Sequence, residues 1–151
     1  MEETEVIQAE EVIQFLAFSV SGELFGIELI HVHEILRPVY ITRIPNVEEF
    51  ILGMINLRGE IIPIIDLKKK FDQGFTEIAT NNRIVVLEYN TKRFGLLVEE
   101  VRQVIKIIKN SITAINDTST ASIYNNMIDF VGRSENNLVL IVELNKLLDY
   151  S

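Results

Sequence analysis

The two histidines are the residues whose type and spacing come nearest to a reactive site. His31 and His33 form an H-x-H pair, and in an extended strand such side chains lie on one face at a spacing that can ligate a metal ion. The chain has no cysteine and no third histidine to complete the set. No nucleophile motif accompanies the pair, so a serine-type triad has no support either. We therefore predict no metal site, no cofactor and no catalytic centre.

The charged residues add little further chemistry. The glutamate pairs at 48–49 and 99–100 are sequence neighbours that point in different directions, so a shared proton is not implied. The lysines at 68–70 form the one basic run, and without a glycine-rich phosphate loop we interpret them as a solvated face. The formal net charge of −8 opposes nonspecific binding to nucleic acid or acidic lipid. Protein partners are the remaining expectation.

The segment that stands out runs from Gly53 to Leu67 and reads GMINLRGEIIPIIDL. We interpret Gly53 as the end of a helix, positions 56–59 as a turn that holds Arg58 in order, and the apolar run that follows as a strand. Three roles stay open for these residues. The glycines at 53 and 59 serve turn geometry alone, Arg58 makes an intramolecular ion pair, or the ordered arginine binds a partner.

β-Branched aliphatic residues dominate the elements that must position this segment, with 23 isoleucines and 14 valines among 151 residues. Such side chains favour strands over helices, so we predict a mainly β protein. Short helices are predicted at 47–52 after an Asn46 cap, at 67–71 after an Asp66 cap, and at 144–150. The predicted strands are Ile13–Val20, Leu24–Leu29, Glu34–Leu36, Gly59–Ile65, Arg83–Tyr89, Arg93–Val98, Val101–Ile107 and Asn137–Val142.

An internal repeat relates these strands to one another. Placing Phe25-Gly26 over Phe94-Gly95, an offset of 69, superposes apolar positions along both segments. A second match, with an offset of 77, places positions 64–69 over 141–146, each an apolar strand that leads into an acid-capped helix. Each copy of about 70 residues would be marginally stable alone. We therefore predict two small β-barrels packed side by side, with a cleft for a partner at their seam.

The same residues resemble the CheW family of bacterial chemotaxis from Val12 to Tyr150. The family pattern F/Y-G-I-x-I-x-x-V-x-E-I corresponds to Phe25–Ile35, and G-x-x-N-L-R-G-x-I-x-P-I-x-D-L corresponds to Gly53–Leu67. A third block begins at Phe94-Gly95, and the closing strand and helix also agree. The resemblance implies two intertwined five-stranded SH3-like barrels, packed side by side with a few short helices.

The resemblance also implies a non-enzymatic adaptor that links the cytoplasmic tips of methyl-accepting chemoreceptors to the histidine kinase CheA and helps to regulate that kinase. Glu34 is expected to pair with Arg58 and to orient it. Kinase contact is expected at an end face of each barrel, near Leu29 and in the 112–120 loop, which contains Thr113 and Thr118. Receptor contact is expected in the groove between the barrels, at Val32, Gly53, Arg58, Gly59, Gly95, Val98 and Val104.

Domain boundaries and location complete the expectations. Five of the 22 acidic residues lie in residues 1–11, which we predict to be a flexible arm. Residues 12–151 form the CheW-like domain, with repeat halves near 12–75 and 80–151 that partly exchange strands. No apolar segment has the length of a membrane span, and the resemblance implies a cytoplasmic protein, monomeric when free and recruited to membrane-anchored receptor arrays.

Two alternatives to a free adaptor stay open. The first is a CheW-like regulatory domain detached from a kinase or from a CheW-receiver fusion, which would share every motif quoted above. The second is a small β-barrel that binds nucleic acid. That class requires a basic face with interspersed aromatic residues, and the net charge of −8 disfavours it.

Overall fold

The computed structural model describes residues 10–148 of the chain. Residues 1–9, which make up most of the predicted acidic arm, lie outside the described residues, and so do residues 149–151. The helices are α1 (Leu67–Lys70), α2 (Thr118–Ile123) and α3 (Leu144–Leu147), and 3-10 turns occupy Leu29–His31 and Lys109–Ser111. The strands are β1 (Val12–Val20), β2 (Glu23–Glu28), β3 (Val32–Leu36), β4 (Ile51–Leu57), β5 (Glu60–Asp66), β6 (Arg83–Tyr89), β7 (Lys92–Val98), β8 (Glu100–Ile108), β9 (Thr113–Ala114), β10 (Phe130–Ser134) and β11 (Asn137–Ile141).

The strands form two sheets of corresponding order. Sheet A has the order β8-β1-β2-β11-β10-β9, and sheet B has the order β3-β6-β7-β5-β4. The offsets of 69 and 77 place the first five strands of sheet A on the five strands of sheet B in the same sequence. The prediction of a mainly β, two-barrel fold is confirmed, with the two-residue β9 as a sixth strand of sheet A. Each sheet contains strands from both repeats, because β1 and β2 pair with second-repeat strands.

Strands β1 and β6 are buried on both faces, which explains why their sequences are nearly continuous apolar runs. Leu16 and Phe18 of β1 point into a central core between the sheets, whereas Phe15 and Ala17 fill the interior of sheet A. The residues of β6 divide in the same way between the central core and the interior of sheet B. Each large side chain buried here stabilises the fold by about 1.5–3 kcal/mol relative to an exposed position.

The helix predicted at 47–52 is absent, and strand β4 begins at Ile51 instead. Asn46 has a φ of 60°, so it belongs to a turn and not to the extended conformation of an N-cap. Gly53 does not end a helix but lies within β4 with a φ of 152°, a value that no α-helix contains. Strand β10, the repeat equivalent of β4, is also missing from the predicted strands.

The other two predicted helices are present, although only one of them has the predicted cap. The Asp66 carboxylate accepts a hydrogen bond from the Lys68 amide at 3.2 Å and caps α1. Its repeat equivalent, Glu143, precedes α3 without a side-chain capping bond. Burial raises the pKa of Glu143, and the nearby Asp129 carboxylate raises it further. The predicted end of this last helix, at 149–150, lies outside the described residues.

The basic run at 68–70 is not the solvated face that we predicted. Lys70 is only 6% exposed, and its ammonium group lies 3.8 Å from the centroid of the Phe50 ring. The Lys68 ammonium lies 3.7 Å from the Glu99 carboxylate, which belongs to the segment between β7 and β8. The lysines therefore fix the position of α1 against its neighbours.

Candidate functional site

The outer strands β3 and β8 carry half-exposed apolar residues beside the central core. Val104 of β8 lies opposite Leu16 of β1, and residues directly opposite in an antiparallel pair project from one face. Leu16 is in the central core, so Val104 is on the face of sheet A that turns toward sheet B, yet it is 46% exposed. Ile35 of β3, the repeat equivalent of Val104, lies opposite the core residue Val85 and is 42% exposed. These positions mark two apolar rims of the seam between the sheets.

A β-bulge in β3 separates the apolar and the acidic side chains of this strand. Strand β3 pairs with β6 through Val32–Leu87 and then Glu34–Val86, which leaves His33 as the extra residue. Regular alternation would place Val32 and Glu34 on one face. The bulge changes the alternation: Val32 packs on the central core, while Glu34 lies opposite Val86, which faces the interior of sheet B. We call Val32 and Ile35, which share the face toward the seam, the β3 rim.

Arg58 lies in the turn between β4 and β5, next to the bulge. Its φ is 49°, and Gly59 follows with a φ of 89°, so the tight turn has two left-handed residues. The Gly59 amide donates a 2.9 Å hydrogen bond to Oδ1 of Asn56. The Arg58 guanidinium forms a short ion pair with Glu34, and its side chain stays 66% exposed. The ion pair thus orients a cation and leaves most of it accessible; we call the two residues the Arg58 corner.

The two histidines do not lie on one strand face, contrary to the prediction. His31 ends the 3-10 turn, and its ring packs edge-on against Tyr89 with the centroids 5.4 Å apart. His33 is the bulge residue, and its Nε2 lies 3.8 Å from Oε1 of Glu34. Within residues 10–148, no three His, Cys, Asp or Glu side chains form a group that could hold a metal ion.

Three of the predicted receptor-contact residues are buried. Gly53 lies against the backbone of Thr42, and Gly95 of β7 lies between the side chains of Ile64 and Ile84. Val98 belongs to the central core and has no exposed surface. A partner cannot touch the Val98 side chain in this conformation. These three buried positions hold the strands in place. Solvent-accessible surface remains at Val32, Val104, Arg58 and Gly59.

The predicted kinase-contact residues lie on separate elements. Leu29 begins the first 3-10 turn and is partly buried against the central core, but its neighbour Ile30 is 83% exposed. Thr113 is exposed on β9, the outermost strand of sheet A. Thr118 is the first residue of α2, and its side chain lies outside the described part of the chain. Of the described residues named at these two places, Ile30 and Thr113 are therefore the ones whose side chains are exposed to a partner.

Ile35 is the rim residue that the predicted site omits. The repeat places it over Val104, at the offset of 69, so the sequence already contained the signal. The pairing of β3 with β6 could not be read from the sequence alone. Only the register Ile35–Val85 shows that the side chain turns toward the seam.

Comparison with known proteins gives the family of the chain. Residues 14–151 match the model of the CheW-like domain. The chain is 29% identical over 139 residues to the chemotaxis protein CheW of Helicobacter pylori, a match that covers 92% of this chain and 83% of that protein. It is 31% identical over 141 residues to the chemotaxis protein CheW of Bacillus subtilis, which covers 90% and 86%.

A solved structure shows the same architecture. The scaffolding protein TtCheW from Thermoanaerobacter tengcongensis is 33% identical in sequence and matches this structure with a TM-score of 0.83, over 95% of this chain and 92% of that chain. No helix in the described residues is long and apolar enough to cross a bilayer. The resemblance found in the sequence is thus confirmed, and the chain belongs to the CheW-like domain family of non-catalytic chemotaxis scaffold proteins.

Proposed function

We propose that the chain couples the cytoplasmic tips of methyl-accepting chemoreceptors to the histidine kinase CheA and helps to regulate that kinase. The observation that supports this most directly is the Arg58 corner beside the β3 rim. There, an accessible guanidinium is held by Glu34, and the next residue of β3, the half-exposed Ile35, faces the seam. An apolar patch with an arginine at its edge is the composition of a protein-binding surface.

The receptor tip binds along the rims of the seam in this proposal. Ile35 and Val104 offer apolar area, each Å² of which contributes about 25 cal/mol when removed from water. The cost of association and of ordering side chains offsets much of this gain, so each contact has moderate affinity. Arg58 sets the orientation of the receptor through its charge. Gly53, Gly95 and Val98 act indirectly by keeping the strands in place.

The kinase regulatory domain binds at the ends of the two sheets, where Ile30 and Thr113 are exposed. Leu29 supports Ile30 from the core, and Thr118 stays in the proposed contact region. A scaffold changes kinase activity only if it binds one state of the receptor–kinase assembly better than another. The proposal places the protein in the cytoplasm, where receptor tips recruit it to the membrane-anchored arrays.

Capture experiments test this function directly. Immobilised protein is incubated with a chemoreceptor signalling tip, with the regulatory domain of CheA, and with both together. We expect each partner to be retained alone and both to be retained at once, because in this proposal the two partners contact different residues. Failure to retain either partner, or mutual exclusion of the two, would contradict the coupling role.

Arg58→Ala is expected to weaken capture of the receptor tip by about tenfold, because it removes an accessible arginine from the edge of the interface. Thermal unfolding should change little, since exposed ion pairs stabilise proteins by about 0–1 kcal/mol. Binding is measured by titration with the receptor tip, and unfolding is measured by circular dichroism.

Arg93→Ala is the matched control for this variant. Arg93 is also an ion-paired arginine of sheet B, with Glu60 at 2.9 Å and Glu88 at 3.4 Å. The control should retain normal receptor capture. If Arg58→Ala instead lowers the midpoint of unfolding sharply, Arg58 is a structural residue and the proposed contact is wrong.

A further inference from the structure

A cleft of about 570 Å³ opens at one end of sheet A, away from the Arg58 corner. Its floor includes Ala17 and Ile105, which belong to the interior cluster of sheet A, and the partly buried Leu24. The remaining lining residues are supplied by β8 and by the turn between β10 and β11: Glu100, Val101, Arg102, Gln103, Ser134, Glu135 and Asn137. The cleft is therefore a mouth through which the interior of sheet A is reached.

The repeat shows which ion pairs lie at the equivalent end of sheet B. In sheet B, Arg93 bridges Glu60 and Glu88, and the Arg58 corner joins the β4–β5 turn to β3. The offset of 69 places Leu24 at the position of Arg93 and Gln103 at that of Glu34. The offset of 77 places Asn137 at the position of Glu60 and Glu135 at that of Arg58. Sheet A therefore lacks the residues that make these ion pairs.

The same comparison explains the apolar floor of the cleft. Leu24 offers a branched apolar side chain where sheet B has a guanidinium. Ala17 occupies the position of Val86. Because alanine is smaller than valine by two methyl groups, the interior side of the mouth is less filled in sheet A. The cleft thus combines an apolar floor with a largely polar edge, and the mouths of β-barrels are a common place for binding pockets.

The edge of the cleft carries an accessible negative charge. Glu135 has a φ of 56° in its turn, close to the 49° of Arg58 in the equivalent turn, so its position is defined by the hairpin. In the part of the chain described, Glu135 has no ion pair, whereas Glu100 is 3.5 Å from Arg102. The charge left over at this edge is negative, and its complement is a cation.

We propose that this cleft binds a protein segment in which one long apolar side chain is followed directly by a basic residue. The apolar side chain enters the mouth between Leu24 and Ile105, and the basic residue pairs with Glu135. A single side chain and one exposed ion pair give a dissociation constant on the order of 1 mM or weaker for a short peptide. Additional contacts made by a complete partner increase the affinity.

Nuclear magnetic resonance of the full chain tests the proposal with two matched peptides, acetyl-GSLRSG-amide and acetyl-GSLESG-amide. The first should shift the backbone amide signals of residues 101–105 and 134–137. The second should bind about fivefold more weakly, because it replaces attraction to Glu135 by repulsion. In Glu135→Lys the order of the two peptides should reverse.

A double variant, Leu24→Arg with Asn137→Glu, introduces at this edge the arginine and glutamate that form the Arg93–Glu60 ion pair of sheet B, and it should abolish the shifts. Because this variant could fail to fold, the reversal in Glu135→Lys is the decisive measurement. Equal binding of both peptides to the unmodified chain, or no shift at all, overturns the proposal. Shifts of the same amides with protein concentration alone would assign the cleft to a second copy of this chain and overturn it as well.

Discussion

Gly53→Ala is expected to lower the free energy of unfolding by about 3 kcal/mol or more, which is a large effect for one methyl group. A Cβ at this position would lie 2.1 Å from the carbonyl oxygen of Thr42 and 2.7 Å from its carbonyl carbon. The φ of 152° is also one that side-chain-bearing residues rarely adopt. Chemical denaturation, monitored by circular dichroism, measures the loss. The midpoint temperature of thermal unfolding should fall by roughly 6–12 °C.

The strain cannot be relieved by a small movement, because the obstructing atoms are backbone. Thr42 exchanges two hydrogen bonds of 2.8 Å with Met54, one in each direction. Making room for the methyl group must break this bridge and release the 37–50 connection from β4. Any loss of partner binding in Gly53→Ala would then follow from displacement of this connection and not from a lost contact.

Gly59→Ala is the control for backbone conformation without collision. Its φ of 89° is also left-handed, but no atom lies within 4 Å of the added Cβ. The variant should lose only about 1 kcal/mol, the ordinary cost of a left-handed conformation. If both variants lose the same amount, the collision with Thr42 is not what requires glycine at position 53.

Local chemistry was enough to predict the strands that are most deeply buried. The predicted strand at 83–89 matches β6, and most other strands differ from the prediction by one or two residues at their ends. Apolar runs with β-branched residues are informative here because both faces of the central strands are buried. The repeat added what local patterns lack, namely that two units share one architecture.

The failure at β4 shows where local chemistry was misleading. Asn46 followed by a glutamate three positions later has the pattern of a capping box, and the two glutamates at 48–49 suit the first turn of a helix. Pairing with β5 overrides that preference from Ile51 to Leu57. The repeat equivalent of β4, strand β10, is likewise absent from the predicted strands.

The candidate site was predictable in its residue types but not in its geometry. The resemblance implied that Glu34 orients Arg58, and the structure contains this ion pair. The bulge at His33, which turns Glu34 away from the apolar rim, has no signal in local sequence, because it depends on the register with β6. For the same reason, the sequence did not separate exposed Val104 from buried Val98.

Asp66→Ala is expected to lower the free energy of unfolding by about 2–4 kcal/mol. The Asp66 carboxylate has no exposed surface and accepts three hydrogen bonds. They come from the Lys68 amide at 3.2 Å, the Thr76 amide at 2.8 Å and the Thr76 hydroxyl at 2.6 Å. Removing the carboxylate leaves these donors without a partner where water has little access. Urea denaturation at neutral pH measures the loss.

Glu143→Gln is the matched control at the repeat-equivalent position, where no capping bond exists. Burial raises the pKa of Glu143, so the folded state holds its proton more tightly than the unfolded chain does. The ionised carboxylate therefore opposes folding at neutral pH, and Glu143→Gln should be neutral or stabilising there. Any gain should vanish as the pH falls through the raised pKa toward the ordinary range, because the native side chain is then protonated as well.

A double-mutant cycle separates the hydrogen bonds of Asp66 from its position before a helix. Thr76→Val removes the hydroxyl donor but keeps the shape of the side chain, so the coupling between Asp66→Ala and Thr76→Val measures that one bond. We expect a coupling free energy of about 1 kcal/mol or more, since a hydrogen bond to a charged group contributes about 1.5–3 kcal/mol. If the two losses simply add, the Thr76 hydroxyl bond contributes nothing, and the carboxylate stabilises the fold through the Lys68 and Thr76 amides.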